Sequence, residues 1–164
     1  MVKLLKTLRI LNYMLINILL GFLLPWIFGI YIYKRDKRIL ITFFPVGSLL
    51  AFIINEFGFY FEFWYLTPIL KVKTMSALPM NLGIYPVLAC YLVYLINSRH
   101  WNSFFLIILF SGFTTGLEFT GVITGKVGYM NHWNTGWTFV SYFVFYILVV
   151  WYYQIFFHLF KKTL

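Results

Sequence analysis

Five long apolar segments dominate this sequence, and each is long enough to cross a bilayer as a helix. A membrane-spanning helix needs about 20 predominantly apolar residues. Hydrophobic residues make up 62% of the chain and charged residues 10%, whereas a water-soluble domain carries roughly 25% charged residues. The sequence therefore predicts an all-α integral membrane bundle of about five spans, forming a single transmembrane domain over residues 1–164. The predicted spans are approximately 12–33, 40–61, 79–97, 103–124 and 137–159.

The connections between these spans give the molecule two different ends. Residues 34–39 and 98–102 are short, so we expect the helices that they join to be antiparallel neighbours. The linkers at 62–78 and 125–136 are longer and leave the membrane at the opposite end. Residues 1–11 either lie along the membrane surface or extend the first helix, and the sequence leaves both arrangements open.

The net charge of +9 comes from 13 basic residues against four acidic ones. The basic residues cluster beside the spans, which indicates topology signals and contact with anionic lipid headgroups at a basic face, not binding of nucleic acid. Lys and Arg are divided almost equally between the two ends, seven against six. The tight cluster at Lys34–Arg38 favours a cytoplasmic position for that end and for the C-terminus. The main clusters are Lys3, Lys6 and Arg9; Lys34, Arg35, Lys37 and Arg38; and Lys161 and Lys162.

Three of the four acidic residues fall near one end of the predicted bundle. Glu56, Glu62 and Glu118 lie close to the ends of the second and fourth spans. An ionised carboxylate within hydrocarbon costs about 3 kcal/mol and calls for a partner. Glu118 is roughly 9 Å below the membrane boundary, at 1.5 Å per helical residue, so it is the strongest candidate for a functional residue. The cations nearest to it in sequence are Lys126 and His132.

Polar residues of the fourth span share one helical face, because they are spaced by three and four residues. Gly112 and Gly116 are also four residues apart, and they predict the close approach of another helix. Hydroxyl side chains in membrane helices often bond their own backbone, so packing explains the hydroxyl row without any ligand. The polar face consists of Ser111, Thr114, Thr115 and Glu118.

The second and third spans and the second long linker add further polar residues. Pro86 lies about two turns into the third span and predicts a kink that frees a backbone carbonyl and helps to form a cavity. His132 either caps a pocket and supplies a proton or belongs to an interfacial aromatic loop. The candidate ligand-binding residues are Glu118, Glu56, Asn81, Asn55, Thr115, His132 and Asn134.

The sequence contains no convincing pattern for a metal, a cofactor or a known catalytic centre. Paired histidines at ligand spacing, cysteine pairs, a phosphate-binding glycine loop and a nucleophile elbow are all absent. Cys90 lies inside an apolar run, where we expect it to pack as a small residue. We therefore predict no metal and no cofactor, and the catalytic residues stay unknown.

Several short motifs follow one another along the chain: Tyr33-Lys34-Arg35-Asp36-Lys37-Arg38, Asn55-Glu56-Phe57-Gly58-Phe59, Thr67-Pro68, Tyr85-Pro86, Glu118 and a loop with Tyr129 and Trp133-Asn134. In this order they resemble those of a family of small, functionally uncharacterised multi-span membrane proteins of spore-forming Gram-positive bacteria. The resemblance covers most of the chain after residue 30. It implies an integral protein of the bacterial plasma membrane, and it implies no activity, cofactor or catalytic residue.

Three functions are compatible with these features. The absence of a catalytic signature favours a structural or accessory membrane component, with the lipid bilayer as its first partner and a second copy or another membrane protein as further candidates. A small-molecule or lipid-binding or transport component is the first alternative, using a one-sided polar pocket around Glu118. The second alternative is an intramembrane enzyme that acts on a lipid or isoprenoid, with Glu118 as general acid and His132 or Glu56 as its partner.

Overall fold

The computed structural model describes residues 2–99 and 101–160, and it confirms the predicted all-α bundle. Five helical segments are long and apolar enough to cross a membrane, so the chain is a multi-pass membrane protein. The spans are Thr7–Arg35, Lys37–Tyr60, Thr74–Arg99, Ser103–Ile123 and Thr135–Leu159. The elements are α1 (Val2–Ile18), a π-helical turn (Leu19–Leu23), α2 (Leu24–Arg35), α3 (Lys37–Tyr60), β1 (Trp64–Leu66), α4 (Thr74–Asn81), α5 (Ile84–Arg99), α6 (Ser103–Ile123), β2 (Val127–Tyr129) and α7 (Thr135–Phe160).

The span boundaries differ most from the predicted ones at the starts of the first and third spans. Residues 2–11 continue the first helix, so the first span begins before residue 12. The third span begins at Thr74 and is divided into α4 and α5. Lys161 and Lys162, which belong to the predicted basic end, lie outside the described residues.

The helices pack in two antiparallel pairs with the first span on the outside. Helix α3 packs along α5, α6 packs along α7, and α2 lies against α3 and α5. The close approach of another helix predicted at Gly112 and Gly116 is wrong within the chain, because a Cβ at either position would meet no atom within 4 Å. Both glycines lie on an exposed face of α6. The buried core includes Ile32, Phe43, Val93, Leu106 and Val149.

The break in the third span follows from Pro86. Proline has no backbone N–H, so the carbonyl of Leu82, four residues earlier, loses its helical partner. The indole Nε1 of Trp26 in the first span donates to that carbonyl at 3.1 Å. At the break the two spans touch through glycine, since a Cβ on Gly83 would lie 2.0 Å from the carbonyl oxygen of Gly21.

Proline also explains the π-helical turn of the first span. Pro25 cannot donate a backbone bond, and its ring crowds the carbonyl of Gly21. The backbone widens there, and the amide of Leu24 bonds the carbonyl of Leu19, five residues earlier. Such turns occur frequently at functional sites, and this one lines a cavity described below.

The two long linkers form a small cap at one end of the bundle. Strands β1 and β2 pair antiparallel, with Trp64 opposite Tyr129. The first span is attached to this cap through Asn17, whose amide donates to the carbonyl oxygens of Thr67 at 2.9 Å and Ser76 at 3.3 Å. The cap was not predicted, because each strand has only three residues and its pairing partner lies in the other linker.

Candidate functional site

Glu118 is the centre of a hydrogen-bond network that joins α6 to α7 and to the cap. Its Oε1 accepts from the hydroxyl of Tyr129 at 3.0 Å and lies 3.2 Å from that of Thr138. Its Oε2 accepts from the hydroxyl of Tyr142 at 2.5 Å. Lys126 and His132, the cations nearest to Glu118 in sequence, form no ion pair with it, and three hydroxyls bond it instead. A partly buried carboxylate is therefore satisfied without a cation.

The network extends from Glu118 in two directions. The hydroxyls of Tyr142 and Tyr85 lie 3.1 Å apart. Thr138 is 2% exposed, and its hydroxyl accepts from the indole Nε1 of Trp133 at 2.9 Å while lying 3.0 Å from the hydroxyl of Tyr129. The Glu118 carboxylate is therefore the point at which four parts of the molecule meet: the third span, the fourth span, the cap and α7.

The number of hydroxyl protons in this network determines what else it can bind. Each hydroxyl has one proton, and as long as Glu118 is ionised its oxygens only accept. Because Tyr142 gives its proton to Glu118, Tyr85 donates to Tyr142. Burial and the nearby charge of Glu118 raise the pKa of Tyr129 to about 12, so Tyr129 stays protonated and donates as well. The lone pairs left over on Glu118 and Tyr85 are acceptors, so a further partner must bring a hydrogen-bond donor.

A pair of buried amides lies beside this network. The Nδ2 of Asn55 donates to the Oδ1 of Asn81 at 2.6 Å, and the Oδ1 of Asn55 accepts from the indole of Trp64 at 3.2 Å. Trp64 reaches this position by packing its ring on Gly58, where a Cβ would lie 1.9 Å from the ring. Asn81 is 0% exposed, and within the described part of the chain nothing accepts from its Nδ2. The hydrogen bonds of these two amides therefore connect β1 to the second and third spans.

A cavity of about 390 Å³ opens between the first and fourth spans, and Glu118 lies in its wall. The volume falls in the range of small-molecule sites. Most of the lining surface is apolar, and its aliphatic residues Ile16, Leu20, Leu24 and Leu117 are exposed. The cavity is therefore partly open to the outside of the bundle. Its polar lining comprises Asn17, Asn55, Tyr85, Thr114, Glu118, Thr120, Thr124, Lys126 and Tyr142.

A second cavity of about 30 Å³ adjoins the first one. It has room for about one water molecule. Residues that line both cavities form the partition between them, so Glu118 borders the large cavity and the small one at once. The partition consists of Asn55, Trp64, Tyr85, Glu118 and Tyr142.

Lys126 lies at the end of the large cavity nearest to the cap. Its Nζ is buried and, among the described residues, has no hydrogen-bond acceptor. The ammonium group instead lies over the ring of Tyr13, 4.4 Å from the centroid. Burial lowers the pKa of Lys126 from its ordinary value. The protein therefore holds an incompletely compensated cation at one end of the cavity.

The structure brings two of the candidate residues into the cavity walls, Glu118 and Asn55. Asn81 lies directly behind Asn55 and bonds it, and Thr115 is buried but lines neither cavity. The remaining candidates lie elsewhere. Glu56 is exposed and accepts from the hydroxyl of Thr74, His132 is exposed, and Asn134 accepts from the amides of Gly136 and Trp137 as the cap of α7.

Several residues in and around the site were not predicted from the sequence. Thr138, Tyr142 and Tyr146 are spaced by four residues along α7, and this periodic hydroxyl row was a usable signal. All three reach α6, since Tyr146 bonds Thr114 at 2.7 Å. Asn17 offered a weaker signal, as one of two asparagines in an apolar span. Tyr85 offered none beyond its position before Pro86.

No grouping of three or more His, Cys, Asp and Glu side chains able to hold a metal ion occurs within residues 2–99 and 101–160. Comparison with protein-family models, with curated proteins and with solved structures finds no match for this chain. The site must therefore be interpreted from its own geometry. It offers a carboxylate and hydroxyls as acceptors, an apolar chamber and a separate buried cation.

Proposed function

We propose that this protein binds an amphiphilic molecule taken from the bilayer, which lies in the cavity between the first and fourth spans. The observation that carries this proposal is the position of Glu118 in the wall of a partly open cavity of about 390 Å³ between two membrane-spanning helices. An apolar lining with a few convergent polar groups is typical of a ligand site. The apolar part of the ligand would contact the aliphatic lining, and a hydroxyl or amine would donate to Glu118 or Tyr85.

A structural or accessory role, the interpretation favoured by the sequence alone, accounts less well for this arrangement. Such a role needs only a closed helix seam, and Glu118 would serve it equally well without a chamber beside it. An intramembrane enzyme has less support as well. Glu56 and His132, the candidate partners of Glu118 in catalysis, are exposed and line neither cavity. Ligand binding therefore has the better support.

The proposal is tested by native mass spectrometry of the protein purified from its own membrane. We expect wild type to carry a specific amphiphile and Glu118→Gln to lose it, because the amide replaces one acceptor oxygen with a donor. Glu56→Gln is the matched control: it makes the same change at an exposed position outside the cavity and should keep the ligand. Identical bulk lipid on all three proteins would contradict the proposal and return Glu118 to a structural role.

We further propose that the protein lies in a bacterial plasma membrane with the turn at Asp36 on the cytoplasmic side and the cap outside. Asp36 caps α3 by accepting from the amides of Arg38 and Ile39, and it is flanked by four basic residues whose position supports a cytoplasmic turn. In intact cells, a membrane-impermeant maleimide should label Glu62→Cys in the cap and not Asp36→Cys. The reverse pattern would invert the orientation.

A further inference from the structure

The charge of Lys126 has no acidic counterpart among the residues that the structure describes. The chain has four acidic residues, and each is already accounted for. Asp36 caps α3 at the far end, Glu56 pairs with Thr74, Glu62 forms an ion pair with Lys73 at 3.1 Å, and Glu118 is bonded by hydroxyls. A buried ammonium group without an anion is costly, and the Tyr13 ring compensates only part of that cost.

The polar groups of the cavity follow a definite order with depth. Lys126 lies in the cap beyond the end of α6, and Glu118 lies five residues before that end, or about 8 Å deeper at 1.5 Å per residue. The aliphatic lining continues past Glu118 toward Leu24 and the level of Thr114. From the membrane surface inward, the cavity therefore presents a cation, then acceptors, then an apolar chamber.

We propose that the ligand is an anionic single-chain amphiphile with a hydroxyl next to its charged group, of which a monoacylglycerol phosphate is the simplest case. This inference rests on the proposed function and names its ligand class. The anionic group would bind Lys126, the hydroxyl would donate to Glu118 or Tyr85, and the acyl chain would lie in the apolar chamber. The order of these three parts in the molecule matches their order in the cavity.

Three probes separate the contributions of charge and hydroxyl. 1-Oleoylglycerol 3-phosphate has both groups, 1-oleoylglycerol lacks the anion, and oleate has a carboxylate but no hydroxyl. Titration of delipidated protein in detergent, followed by native mass spectrometry, gives the affinity for each. Because a hydrogen bond to a charged group contributes a factor of about ten or more, we expect wild type to bind the phosphate at least tenfold more tightly than the other two.

Substitutions then assign this preference to Lys126. Lys126→Gln should abolish the tenfold preference for the phosphate over 1-oleoylglycerol, and Lys126→Arg should keep it. Tyr13→Leu removes the ring contact without changing the charge, so it should also keep the preference. If Tyr13→Leu keeps the preference for the phosphate, its loss in Lys126→Gln does not come from displacement of the first span.

The outcomes distinguish this inference from the proposed function. If Lys126→Gln keeps the preference, or if oleate binds wild type as tightly as the phosphate, the ligand class is wrong while ligand binding at Glu118 stands. If none of the three probes binds and the protein from its own membrane carries no specific ligand, both proposals fail together.

Discussion

Replacing Glu118 by leucine is expected to lower the free energy of unfolding by about 2–4 kcal/mol. The substitution removes the acceptor of three hydroxyls on Tyr129, Thr138 and Tyr142. Hydrogen bonds between membrane helices each contribute about 0.6–1.7 kcal/mol, and the three donors lose their common partner together. Reversible unfolding in mixed detergent and SDS micelles, followed by circular dichroism, measures the change.

Glu118→Gln is the matched control for that prediction. Its amide keeps one acceptor oxygen, and Tyr142 can accept from the new NH2 group while donating to Tyr85. We therefore expect a loss of about 1 kcal/mol or less. Equal stability of the leucine variant and wild type would show that the hydroxyls find other partners, and that Glu118 does not hold α6 and α7 together. This result would leave the test of ligand binding untouched.

The contrast between these two substitutions shows what the sequence could and could not predict. The depth of Glu118 in an apolar segment marked it as exceptional, because an unpaired carboxylate there is costly. Its partners were sought among the few cations, whereas the structure uses tyrosine and threonine hydroxyls. Such hydroxyls are numerous in a chain with 13 Tyr, and only the packing of α7 on α6 selects Thr138 and Tyr142.

Span number was predictable because it depends on local composition. Each apolar segment satisfies its own backbone as a helix, whatever its neighbours do. The division of the third span was partly predictable, since Pro86 removes a backbone bond at a fixed offset. The donor that compensates for it, the indole of Trp26, lies 56 residues earlier, and no local pattern connects the two.

The cavity was the least predictable feature, since it exists only where two spans fail to meet. The first span contacts the third at Gly21 and Trp26 and is tied to the cap by Asn17, and these contacts hold it away from α6. The gap beside Glu118 is therefore a consequence of where the first span is anchored. Contacts that are remote from Glu118 consequently control the shape of the proposed ligand site.

Gly83→Ala tests that anchoring directly, and we expect it to lower the free energy of unfolding by about 2–3 kcal/mol. The added Cβ would lie 2.0 Å from the carbonyl oxygen of Gly21 and 2.6 Å from the Cα of Phe22. Both contacts are backbone atoms and cannot rotate away, so the first span must move. The same SDS unfolding measurement gives the loss in stability.

Gly112→Ala is the matched control, since it makes the same change in a membrane helix where a Cβ would meet nothing within 4 Å. We expect its unfolding free energy to stay within about 0.5 kcal/mol of wild type. Because the first span forms one wall of the cavity, Gly83→Ala should also weaken the binding of the amphiphile, and Gly112→Ala should not. Unchanged stability of Gly83→Ala would mean that the first span is free to shift, and the cavity volume would then depend on a loose contact instead of a fixed one.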